Sequence, residues 1–174
     1  ILTGRVTARV FIDTWVGPGS PYGNGWLVDV SLSYVPGPRS ETTVFIAPVL
    51  SFSNVAYGNP LVPTQRTAPV LPLVGFSSAK LLTVITGHGQ GNAENCGEFC
   101  PKKHTIAIGG QVFEKQIWRN DCSTTVDPAQ KGTWMYPRAG WCPGDIVKPW
   151  TEDITAALTT LNPEFVYDVE GYAN

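Results

Sequence analysis

The placement of proline and glycine decides most of what this chain can fold into. Fifteen Pro and 18 Gly fall among 174 residues. They cluster at Gly17-Pro18-Gly19-Ser20-Pro21, Pro36-Gly37-Pro38, the proline-rich stretch 54–72 and Pro143-Gly144. Proline breaks helix interiors and glycine weakens them, so a helical bundle and a coiled coil are excluded, and no collagen-like repeat is present. A Gly- and Pro-rich chain can be disordered, but such chains are rich in charge and poor in aromatics. Here only 15% of residues are charged, 43% are hydrophobic and six are Trp. Apolar runs such as Leu81-Leu82-Thr83-Val84-Ile85 are far shorter than the roughly 18 residues of a membrane span. A folded, mostly β chain with long loops remains.

Between the breaks, alternation of apolar and polar residues marks strands. Residues 5–12 and 26–34 alternate around a wide loop at 17–25, and Pro36-Gly37-Pro38 marks a boundary. Residues 42–51 predict a strand with Pro48 at an edge or bulge. Residues 54–72 predict an extended loop, and the apolar run 79–86 a strand buried on both faces. Residues 104–108 and 111–118 form a hairpin about Gly109-Gly110. A long loop spans 119–150, residues 151–161 give a helical signal with Thr151 as cap, and 164–170 form a last strand. About seven or eight strands at this spacing fit an all-β sandwich.

The net charge of −2, with no stretch of five or more like charges and Lys102-Lys103-His104 as the densest basic spot, argues against a basic nucleic-acid face. The four cysteines fall in two pairs, Cys96/Cys100 and Cys122/Cys142. Three connectivities are open, and a zinc site with His104 is the competing reading. Two disulfides in an oxidising compartment fit the spacing better.

Three clusters carry possible chemistry. In Cys96-Gly97-Glu98-Phe99-Cys100 a bridged ring would mount Glu98 rigidly beside an apolar wall, Phe99. The alternative is a solvated Glu on a surface ring. In Arg138-Ala139-Gly140-Trp141-Cys142 a guanidinium lies three residues from an indole. Together they could stack on a sugar and bond its oxygens, or simply pack the loop. Asp13 and Trp15, two apart on a strand, share one side of it, with cross-strand packing as the plainer reading. A serine or cysteine nucleophile needs an oriented base. His104 opens a strand and reads as structural, while His88 lies between two glycines with no acid near it in sequence.

Taken together, residues 82–147 resemble the second domain of the peptide-N-glycosidase F family. The matching pieces are Cys96-Gly97-Glu98-Phe99-Cys100, His104-Thr105-Ile106-Ala107-Ile108, Cys122 and Arg138-Ala139-Gly140-Trp141-Cys142-Pro143-Gly144. Asp13-Thr14-Trp15 is similar to a Glu-Thr-Trp of the family. The resemblance implies an all-β jelly-roll sandwich, the second of a tandem pair, with residues 1–36 closing a first jelly roll. Residues 37–174 would form the second, lacking its last strands. It implies disulfides Cys96–Cys100 and Cys122–Cys142, and catalytic roles for Glu98 and Arg138. Asp13, Trp15, His88, Phe99 and Trp141 would be substrate-binding, Phe99 standing where the family carries Trp.

The implied activity is hydrolysis of the amide between N-acetylglucosamine and asparagine in N-glycosylated proteins or glycopeptides, without metal or cofactor. The protein would be secreted or periplasmic. The family's Trp-Asp-Arg stretch, with its principal catalytic Asp, is not in this sequence. The chain therefore reads as one piece of a longer enzyme, with another segment or chain completing the first jelly roll. The alternative is a non-catalytic glycan- or protein-binding module. A copper monooxygenase of similar architecture would need several His ligands, and the chain has two His and one Met.

Overall fold

The computed structural model describes residues 43–70, 75–89, 94–126, 132–160 and 163–172, with 9–10, 18–19, 21 and 30–31. The chain divides into two compact units, Ile1–Thr42 and Thr43–Asn174. All elements below belong to the second. They are strands β1 (Arg66–Pro69), β2 (Lys80–Thr83), β3 (Lys102–Ile108), β4 (Gln111–Ile117), β5 (Trp150–Asp153) and β6 (Glu164–Val169). Among the described residues, helical structure is limited to α1 (Cys96–Phe99), α2 (Cys122–Thr125) and a 3₁₀ turn at Ala157–Thr159. Among the described residues no helix is long and apolar enough to cross a membrane.

Among the described residues every strand pairing is antiparallel, in the order β1-β6-β3-β4 in one sheet and β2-β5 in another. Side chains alternate across a strand, so β3 buries His104, Ile106 and Ile108 while β6 buries Phe165, Tyr167 and Val169. Ile106 faces Tyr167 and Ile108 faces Phe165 across the ladder. These residues share one core with Ala68, Ile117, and Leu81 and Trp150 of the second sheet, closed by Ile154, Ala157 and Leu158. Two sheets on one core make a β-sandwich. Each large apolar side chain fully buried there contributes about 1.5–3 kcal/mol.

The β3–β4 hairpin turns on Gly109 (φ 53°) and Gly110 (φ 81°), the paired positive φ that a two-residue turn of this hand requires. A Cβ on Gly109 would also collide with the Ala157 carbonyl, so the hairpin tip seats directly on the 3₁₀ turn. His104 is structural, as expected: it is buried, with Nδ1 2.6 Å from the Tyr167 hydroxyl. Burial pushes its pKa down from 6.5 to about 4.

Four expectations need correction. Residues 43–51 form no strand, and Val44 and Ile46 are exposed; β-propensity without a partner does not make a ladder. The run at 79–86 is covered on one face only, with Leu81 buried but Leu82 and Val84 exposed. The proline-rich stretch contains β1, an edge strand ending on Pro69, where a missing N–H is tolerated. Thr151 caps no helix but pairs with Leu82 in the β2–β5 ladder, and among the described residues of this segment only Ala157–Thr159 winds. The strands expected at 5–12 and 26–34 fall almost wholly outside the described residues.

Candidate functional site

Three loops of the second unit are joined main chain to main chain. The Gly87 N–H donates to the Ala139 carbonyl and the Ala139 N–H to that of Glu98, both at 2.9 Å. Glycine permits this approach. A Cβ on Gly87 would collide with the Gly97 carbonyl, and one on Gly97 would lie 2.7 Å from that of His88. Gly140 has a positive φ of 81° as well, and its Cβ would meet the Ile85 carbonyl. Disulfides Cys96–Cys100 and Cys122–Cys142 brace the layer. They select one of the three connectivities. They also remove the zinc reading, since the sulfurs beside Glu94 are bonded to each other and are not thiolates.

Inside this layer lies an ion pair. The turn of α1 carries Glu98 inward to 5% exposure, and Arg138 is 2% exposed. Arg138 Nη1 donates to Glu98 Oε1 at 2.7 Å, and the Gly89 N–H lies 3.4 Å from Oε2. The solvated-surface alternative for Glu98 is thereby excluded. The rest of the guanidinium is also engaged. Nη2 donates to the Thr133 carbonyl and hydroxyl, and Nε to the Tyr136 carbonyl at 3.4 Å. Its carbon lies 4.8 Å from the Trp141 ring centroid and 5.2 Å from that of Phe99. Burial lowers the Arg138 pKa and the Glu98 carboxylate opposes that shift.

Trp141 and His88 complete the cluster. The indole N–H donates to the Gly87 carbonyl at 2.7 Å, and the His88 ring lies 4.5 Å from the Trp141 ring. His88 is without an acid neighbour in sequence but not in space. Desolvation lowers its pKa, Glu98 raises it and Arg138 lowers it. The structure thus brings together Glu98, Phe99, Arg138, Trp141 and His88, while Asp13 and Trp15 lie outside the described residues. Such an arrangement holds a carboxylate and a guanidinium rigidly in a desolvated setting under aromatic rings. That suits orienting a water or a polar group against a sugar ring.

Sequence reasoning missed Arg119. Its main chain is bonded both ways to that of Arg138, at 2.8 and 2.9 Å. Its guanidinium, 6% exposed, donates to both Asp121 carboxylate oxygens at 2.9 Å and to Asp145 Oδ2 at 2.7 Å. Further bonds reach the Thr125 hydroxyl and the Ile146 carbonyl. Asp121 is held well below the usual carboxylate range, chiefly by Arg119 and then Lys148, and Asp145 is lowered chiefly by Arg119. The only local signal is an Arg two residues before an Asp; Asp145 is distant in sequence.

Fold and loop layer together define a disulfide-braced sandwich of the jelly-roll class. Residues 73–170 match the family model described as Peptide-N-glycosidase F, C terminal, and the chain belongs to that family. Over its whole length it is 26% identical to peptide-N(4)-(N-acetyl-beta-D-glucosaminyl)asparagine amidase F of Elizabethkingia miricola. It spans 51% of that protein, about half its length. A crystal structure of a peptide-N(4)-(N-acetyl-beta-D-glucosaminyl)asparagine amidase superposes with a TM-score of 0.57 at 27% identity, covering 69% of this chain and 41% of that one. The structure of PNGase F, a glycosylasparaginase from Flavobacterium meningosepticum, gives 0.53 at 29% identity, covering 68% and 40%.

Proposed function

We propose that this chain is the second jelly-roll part of an amidase that hydrolyses the bond between N-acetylglucosamine and asparagine in N-glycosylated proteins or glycopeptides. Water adds to the amide carbonyl carbon, the carbon–nitrogen bond breaks, and the glycan leaves as a glycosylamine with aspartate left in the peptide. The observation that carries this reading is the buried Glu98–Arg138 pair, fixed at 2.7 Å beneath Trp141 and Phe99. Glu98 would orient the attacking water or polarise the amide, Arg138 would hold that carboxylate in place, and His88 with Trp141 would meet the sugar. Asp13 and Trp15 enter through the family resemblance alone. Residues 1–36 would close a first jelly roll, and a further segment or chain would supply the principal catalytic aspartate. Two disulfides fit an oxidising compartment, and the protein would act outside the cytoplasm, secreted or in a periplasm.

Glu98→Gln in the full-length protein tests this reading. Removing one preorganised polar group from such a site costs about 100-fold in turnover or more, measured as glycan release from an N-glycopeptide. Near-normal release would remove Glu98 from the mechanism. Glycopeptide binding without turnover by the unaltered protein would favour a non-catalytic glycan-binding module instead.

A further inference from the structure

We propose that Arg119 is a positioning residue of this site, acting through Arg138; its catalytic part rests on the amidase reading above. Three observations converge on it. The Arg119 and Arg138 main chains are bonded to each other in both directions, so the place of one fixes the place of the other. The Arg119 guanidinium ties Asp121 and Thr125, around α2, to Asp145 and Ile146, just past Cys142. It is therefore a polar clamp between the same two segments that Cys122–Cys142 joins covalently. Finally, Arg138 is almost fully buried and has little room to compensate for a displaced backbone. A misplacement of about 1 Å at such a site can lower turnover by up to about 100-fold.

The test uses the full-length protein with Arg119→Lys and Asp145→Asn, and Ile108→Val as a core variant that lowers stability far from the loops. Three quantities are read: the thermal midpoint, kcat and KM on an N-glycopeptide, and the His88 ring titration by NMR, assigned with His88→Gln. After desolvation and the opposing Glu98 carboxylate, Arg138 is a third influence on His88 and lowers its pKa, so displacing Arg138 raises that pKa. Loss of the Asp145 charge acting through space would lower it, the opposite sign. The expected result is a raised His88 pKa in both clamp variants, with kcat down about tenfold or more and KM within about twofold. Ile108→Val should leave the titration and kcat unchanged. An unchanged His88 titration in both clamp variants overturns the proposal whatever the rates do. So does an unchanged kcat in an active enzyme whose His88 has shifted. A shifted His88 in a protein that releases no glycan, altered or unaltered, upholds the clamp and overturns the amidase reading.

Discussion

The sandwich core and the loop layer above it belong to one compact unit yet are held by different physics. The core rests on periodic burial: Ile106, Ile108, Phe165 and Tyr167 alternate inward, and each is one of many side chains sharing a single cluster. The loop layer has little periodic apolar content. It depends on two disulfides, the Glu98–Arg138 pair, the Arg119 clamp and glycines that let main chains touch. Burial spreads stability over many residues, whereas a polar layer concentrates it in a few that have no substitute.

That contrast is most exposed at Arg138. Arg138→Ala removes the guanidinium that neutralises a buried carboxylate and is expected to cost about 3–5 kcal/mol, read by chemical denaturation. Combining Arg138→Met with Glu98→Leu should recover part of it, because an apolar pair leaves no uncompensated charge although the Thr133 and Tyr136 carbonyls lose their donor. A loss below about 1 kcal/mol in the single variant would show that the layer does not depend on its ion pair. Next in size, replacing Cys122 and Cys142 by Ser is expected to cost about 3 kcal/mol for a loop of this length. Hydrogen exchange should place the loosening at 119–146 and leave β3 and β6 protected. Uniform loosening would mean that core and loops unfold as one.

The smallest expected effect belongs to the core. His104 is held neutral, its pKa at about 4 against 6.5 when unfolded. Its folded pKa is depressed, so the stability it contributes is fully present above 6.5 and is lost as pH falls toward 4. The loss is on the order of 2–3 kcal/mol. Thermal midpoints should fall over that window in the parent protein and less so in His104→Gln. Equal slopes would assign the loss to other groups.

The two regions were not equally legible in the sequence. The β3–β4 hairpin announced itself through Gly109-Gly110 between alternating runs, and β6 through its own alternation, because both signals are local. The second sheet carries no such local signal. Trp150–Asp153 becomes a strand only by pairing with Lys80–Thr83, and no local pattern encodes that partner. Residues 43–51 show the converse, strong β-propensity with no strand formed. At the site, the cysteine-framed Glu98 and, separately, the run from Arg138 to Trp141 stand out by spacing. The contact between Glu98 and Arg138 joins residues 40 apart, and that of Arg119 with Asp145 joins residues 26 apart. Both depend on how the loops fold back, which composition and periodicity do not carry.

The Arg138 guanidinium is fixed on several sides at once. It lies against two rings, Phe99 and Trp141, and bonds to Glu98, Thr133 and Tyr136, so no alternative rotamer is open to it without breaking several contacts together. The positive charge of the site is thus oriented when the chain folds, not when a ligand arrives. Whatever binds here meets a field already in place, and the reorganisation that a surface arginine would undergo at binding has been moved into folding.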